Sequence, residues 1–125
     1  FVRLVESVDS SKAVALYVRF YPLIQEAYKE LGYPDKYFND RLIEVIDHLL
    51  ATPDVAGPIR VTLPKLDESI KLDRPWVLYE FADPELEARS AGQKILVRMG
   101  SENAGRLKAK LRDMRGKLAR GAPKR

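Results

Sequence analysis

Between Ser10 and Leu31, apolar residues recur at helical spacing along two stripes at once. Val14, Tyr17, Val18, Tyr21, Ile24, Tyr28 and Leu31 form one. Leu16, Phe20, Leu23 and Ala27 form the other. A helix that is apolar on two sides has to be covered on most of its surface. The rest of the chain must therefore supply several packing partners, and a helical bundle is the economical answer. Asp9, Ser10 or Ser11 can cap this helix at its start and Gly32 ends it. Pro22 lies inside it and lacks a backbone donor, which predicts a kink or break near Phe20–Tyr21, within the core.

The other elements follow from similar signals. Phe1, Leu4, Val5 and Val8 have helical spacing. After Gly32-Tyr33-Pro34-Asp35, a helix is expected over 35–51, with Phe38, Leu42, Val45, Ile46 and Leu49 facing inward and Thr52-Pro53 closing it. Four of the eight prolines then fall at 53, 58, 64 and 75. Between them, residues 59–63 alternate as a short strand, and 76–81 can pair with it as a hairpin. The charged segment 66–74 is expected to be a mobile loop. Asp83-Pro84-Glu85 starts a helix expected to run to Met99, with small residues at Ala88, Ala91 and Gly92 that let another helix come close. Ser101 caps a last helix reaching Arg120, with a stripe of Ala104, Leu107, Leu111, Met114 and Leu118 that is expected to pack on helix 84–99 or on a second copy. The fold class is mainly α: a compact bundle of about five helices with one small β-hairpin or extended insertion. Residues 1–120 form one α-helical domain and 121–125 a disordered tail. Beginning at Phe1, the chain reads as a fragment of a longer protein.

Composition narrows the chemistry. The 125 residues contain no Cys and one His, so thiolate sites and Cys nucleophiles are excluded and a multi-His metal site has no ligands. No run of eighteen apolar residues occurs that could span a bilayer. The net charge of +4 conceals a split: residues 1–88 hold 10 basic and 16 acidic side chains, residues 89–125 hold 12 and two. The basic half includes Arg106, Lys108, Lys110, Arg112, Arg115, Lys117 and Arg120 on one helix. Such a ridge is either available to nucleic acid or an anionic surface, or is a solvated face that pairs with the protein's own acidic body.

Three stretches carry a resemblance: Phe20-Tyr21-Pro22-Leu23 with Glu26-Ala27-Tyr28, the run from Leu31 to Pro53, and the run from Val77 to Lys94. Together these resemble the bacterial family catalogued as domain of unknown function 3014. The resemblance implies a single-span envelope protein with a membrane anchor near its N-terminus, a Pro-rich linker and then a soluble domain, of which this chain would be the C-terminal part. It would sit on the periplasmic side of the inner membrane. The resemblance implies no catalytic residues.

Three groups of residues are candidates for function. Glu44, Asp47 and His48 share a helix face at a spacing that suits one divalent metal or a carboxylate–His base, or merely a local His48–Glu44 pair at a helix end. Asn39, Asp40 and Arg41 with Tyr33, Tyr37 and Phe38 gather aromatics and an Arg at one turn, the composition of recognition surfaces, although Tyr33 and Phe38 can equally staple the helix start while Asp40 and Arg41 cap or pair locally. Glu80, Asp83, Glu85 and Glu87 cluster where acids suit a helix N-terminus. The reading is a non-enzymatic binding or scaffold domain without cofactor or metal, whose partner is another protein or a second copy. The candidate surface is Tyr33, Tyr37, Asn39, Arg41, Arg106, Lys110, Arg112 and Lys117. A nucleic-acid module using the basic helix is the alternative, and a metal-dependent enzyme around Glu44, Asp47 and His48 the third.

Overall fold

The computed structural model describes residues 1–55, 57–62 and 80–120. Among these, six helices and one two-stranded antiparallel sheet follow in the order α1 (Val2–Ser7), α2 (Ser10–Glu30), α3 (Phe38–Leu50), β1 (Val61–Thr62), β2 (Glu80–Phe81), α4 (Pro84–Glu87), α5 (Ala91–Arg98) and α6 (Ser101–Arg120). Val61 pairs with Phe81 and Thr62 with Glu80, so the expected hairpin ends are present. The expected loop 66–74 and tail 121–125 lie outside the described residues.

The helix signals act where the sequence places them. Asp9 caps α2 by accepting from the Lys12 N–H at 3.1 Å. Gly32 closes α2 at φ +113°, a conformation that suits glycine. Asp83 caps α4 with Pro84 at the first position, and Gly100 breaks α5 from α6 at φ +89°.

Four expectations change. The helix expected over 35–51 begins at Phe38, because 34–36 form a turn. Residues 84–99 make two helices and not one. The Glu87 carboxylate turns back to accept from the Phe81 N–H at 2.7 Å, and Ser90, extended at ψ 159°, starts α5 afresh by accepting from the Gln93 N–H. The third correction concerns α2, which runs unbroken through Pro22, and Pro22 is exposed rather than in the core. The missing donor therefore lies on the outward side, where water can reach the backbone. Finally, only one stripe of α2 turns inward, with Tyr21 buried and Val14, Tyr17, Val18, Ile24 and Tyr28 half-buried, and its expected last residue, Leu31, is 77% exposed. Leu16, Phe20 and Leu23 are 57%, 45% and 64% exposed.

The helix that organises the fold is α6, which packs against α1, α2, α3 and α5. Its stripe enters the core through Ala104 and Leu118, alongside Tyr21, Ile46, Phe81, Leu96 and Val97. The stripe thus packs on several helices of its own chain, not on residues 84–99 alone. Small residues set the spacing as expected: a Cβ on Gly92 of α5 would lie 2.9 Å from Leu49 Cδ2 of α3. The same two helices are laced by Gln93 Nε2 donating to the His48 carbonyl at 2.8 Å.

Candidate functional site

The start of α3 has no capping side chain of its own; Tyr37 stands at the cap position, and its side chain makes no cap hydrogen bond. The first N–H groups of a helix must nevertheless be satisfied. Here α2 supplies the acceptors. Gln25 Oε1 takes the Phe38 N–H at 2.7 Å, and the Tyr21 hydroxyl takes the Asn39 N–H at 3.1 Å. Tyr21 in turn donates to Gln25 Oε1 at 2.9 Å, and Gln25 Nε2 donates to the Lys36 carbonyl at 2.8 Å. Tyr17 donates to Asn39 Oδ1 at 3.0 Å. Burial, with Tyr21 adding to it, pushes the Tyr17 hydroxyl well above the usual phenol range. The network fixes the α2–α3 turn as a rigid platform.

On the outer side of this platform lies a cleft of about 530 Å³. Tyr28 of α2, Tyr33, Asp35, Lys36 and Tyr37 of the turn, and Asp40, Arg41 and Glu44 of α3 line it. Gly32 swings the chain back so that Tyr33 stacks on Tyr28, with ring centroids 4.7 Å apart and planes 12° from parallel. Phe38 also meets Tyr28 edge-on, with centroids 5.5 Å apart. Tyr33 remains 45% exposed and Tyr37 38%. Arg41 is held by Glu44 at 2.9 Å, a surface pair that fixes the guanidinium at the rim and adds little stability.

The expected surface is therefore split. Tyr33, Tyr37 and Arg41 meet in the cleft, but Asn39 is buried and belongs to the platform beneath it. Arg106, Lys110, Arg112 and Lys117 lie elsewhere, on α6, and the basic ridge is largely occupied. Arg106 pairs with Glu6, Lys110 donates to the Val8 carbonyl, and Lys117 pairs with Asp113 at 2.7 Å. Arg115 grips Asp47 at 2.5 and 3.1 Å, and Lys108 is buried, donating to the Thr52 carbonyl at 2.6 Å. Arg112 and Arg120 are exposed and make no ion pair among the described residues.

The trio Glu44, Asp47 and His48 is likewise dispersed. Glu44 goes to Arg41 and Asp47 to Arg115, whose hydrogen bond holds the Asp47 carboxyl below its usual range. His48 Nε2 shares a 2.6 Å hydrogen bond with Ser90 Oγ rather than pairing with Glu44. No group of three metal-ligating side chains comes together among the described residues. Of the acidic cluster, Asp83 caps α4 and Glu87 ties β2 to α5 through the Phe81 N–H and Lys94.

Sequence reading missed Tyr17, Tyr21 and Gln25. The tyrosines counted as apolar stripe positions; Gln25, a polar residue four after Tyr21 and one after Ile24, was the available signal of a polar network on that face.

No curated protein and no solved structure matches the chain. A family model does match, over residues 1–115, and it is the family that the stretches around Tyr21, Leu31–Pro53 and Val77–Lys94 resemble. The chain belongs to the family described as protein of unknown function, DUF3014.

Proposed function

We propose that this is a non-enzymatic binding domain of a bacterial cell-envelope protein, held at the membrane by an anchor outside these residues, and that the cleft over the α2–α3 turn receives a segment of a partner protein. The observation that carries the reading is the stacked Tyr28–Tyr33 pair, still open to solvent beside Arg41 and Tyr37. Exposed aromatics cost little conformational entropy when they bind, and Arg adds directional donors, which is why these residues dominate interface energetics. The platform beneath them is prepaid: Tyr21, Gln25 and Asn39 hold the turn before any partner arrives.

The cleft carries three carboxylates and two cations, so a segment with mixed charge and one aromatic or aliphatic anchor suits it. The test is a photo-crosslinking amino acid at Tyr33 in the full-length protein in cells. The expected result is a defined protein adduct recovered with the membrane fraction and lost in an Arg41→Ala, Tyr37→Ala double variant. Adducts unchanged by that variant, or recovery only with nucleic acid, would refute the reading. The occupied cations of α6 weigh in the same direction, since a ridge bonded to its own chain has less to offer a phosphate backbone.

A further inference from the structure

The outer face of α2 carries the stripe that the bundle leaves uncovered. Leu16, Phe20, Leu23 and Ala27 are all exposed and spaced 4-3-4, the repeat of a coiled-coil seam. The stripe of α6 has the same repeat but is already packed within the chain. What distinguishes the α2 face is the placement of charge beside it. Arg19 immediately precedes Phe20, and Glu26 immediately precedes Ala27, so both flank the seam on the same side, one heptad apart. Both are exposed. The Arg19 guanidinium lies 5.6 Å from the Phe20 ring centroid, against the seam. Neither makes an ion pair with its own chain among the described residues.

We infer that α2 pairs with α2 of a second copy of this chain, antiparallel about a two-fold axis. In that register Phe20 faces Leu23 of the second copy and Leu16 faces its Ala27, and the two-fold repeats both layers. Residues on this flank then meet their counterparts such that Arg19 of each copy opposes Glu26 of the other, giving two symmetric ion pairs. A parallel pairing instead sets Arg19 against Ile24 and Glu26 against Leu31, with no charge match. The charges therefore select one partner and one direction, which is how flanking residues specify helix pairing. A seam of four layers is small, so the dimer is concentration-dependent. Closing it also covers apolar side chains that a monomer leaves in water. The inference is independent of the cleft over the α2–α3 turn.

Sedimentation of the purified chain over a range of concentrations tests it. The mass should rise from 14.2 kDa toward twice that value. Leu23→Asp should remain monomeric with an unchanged circular dichroism spectrum, since Leu23 is 64% exposed in the monomer. Arg19→Glu and Glu26→Arg should each weaken the dimer about tenfold by setting like charges opposite one another twice. The Arg19→Glu, Glu26→Arg double variant should restore it. A monomer at every concentration, a dimer indifferent to Leu23→Asp, or a double variant weaker than either single one would each overturn the antiparallel α2 pairing.

Discussion

At the residue scale the fold depends on a few polar side chains that replace missing local caps. Tyr21 is 4% exposed, and its hydroxyl is the acceptor for the Asn39 N–H inside the first turn of α3. Tyr21→Phe keeps the ring and its edge contact with Tyr17 at 5.5 Å but orphans that N–H. A buried donor left unsatisfied costs about 1–3 kcal/mol, so Tyr21→Phe should lower unfolding free energy by that amount in urea melts. A loss below about 0.5 kcal/mol would mean water replaces the hydroxyl and the platform is looser than its hydrogen bonds suggest. Lys108 shows the same logic with a charge: it is 8% exposed and its ammonium serves the Thr52 carbonyl at the end of α3. These roles were hard to read from sequence because Tyr counts as apolar in a periodicity argument and Lys as surface. Each side chain has an apolar body and a polar tip, and only the fold decides where the tip goes.

At the element scale, the two stripes of α2 led to the wrong inference about Pro22. Apolar periodicity gave the helix and its ends, but it cannot tell a core stripe from one reserved for another molecule. Because Pro22 is exposed in an uninterrupted helix, the ring fills no core position, and Pro22→Ala restores an N–H able to reach the Val18 carbonyl. It should raise stability by about 1 kcal/mol or more in denaturant melts, and a destabilisation would show that the ring is packed on something. The split of residues 84–99 was written in Ser90, a capping residue inside an otherwise helical run. A single Ser is tolerated in many helices, so it became decisive only because Glu87 is drawn away to Phe81. Gly92, by contrast, was legible as a point of close approach. Ala there would press on the mobile tip of Leu49 while gaining helix propensity, so Gly92→Ala should change stability by less than about 1 kcal/mol. Gly92→Leu cannot be absorbed in this way and should cost about 1–3 kcal/mol by overpacking the α3–α5 contact. Equal effects from the two substitutions would show that this contact is not the constraint.

At the scale of the whole molecule, the charge split resolves into a fastening system. The acidic body and the basic last helix meet: Glu6 of α1 holds Arg106, and Asp47 of α3 holds Arg115. Net charge by segment predicted that pairing as one of two outcomes. Which cation meets which acid depends on how α6 lies among its neighbours, and no local pattern encodes that. Two of the anchoring carboxylates are perturbed in the same direction. Asp47 is held low by the Arg115 hydrogen bond, and Glu87 by the Phe81 N–H first and Lys94 second. A carboxyl whose folded pKa lies below its unfolded one adds stability above the unfolded value and loses it as pH falls through the folded value. Stability should therefore be level from neutral pH down to about pH 5 and decline below about pH 4, where unfolded carboxyls take up protons. Asp47 is open to solvent and Glu87 is half-buried, so each contribution is modest and screened by salt, that of Asp47 the more so. Their separate shares can be read by substitution. Asp47→Asn should be less stable than the parent at pH 7, and the gap should narrow as pH falls below about 4, because the parent loses its advantage as the Asp47 carboxylate takes up a proton. The gap for Glu87→Gln should narrow in the same way, with its loss concentrated in amide exchange at Phe81, whose N–H the carboxylate accepts. Thermal melts from pH 7 to pH 3 give the comparison. Parallel curves for parent and variants would mean that neither carboxylate couples protonation to the packing of α3, β2, α5 and α6.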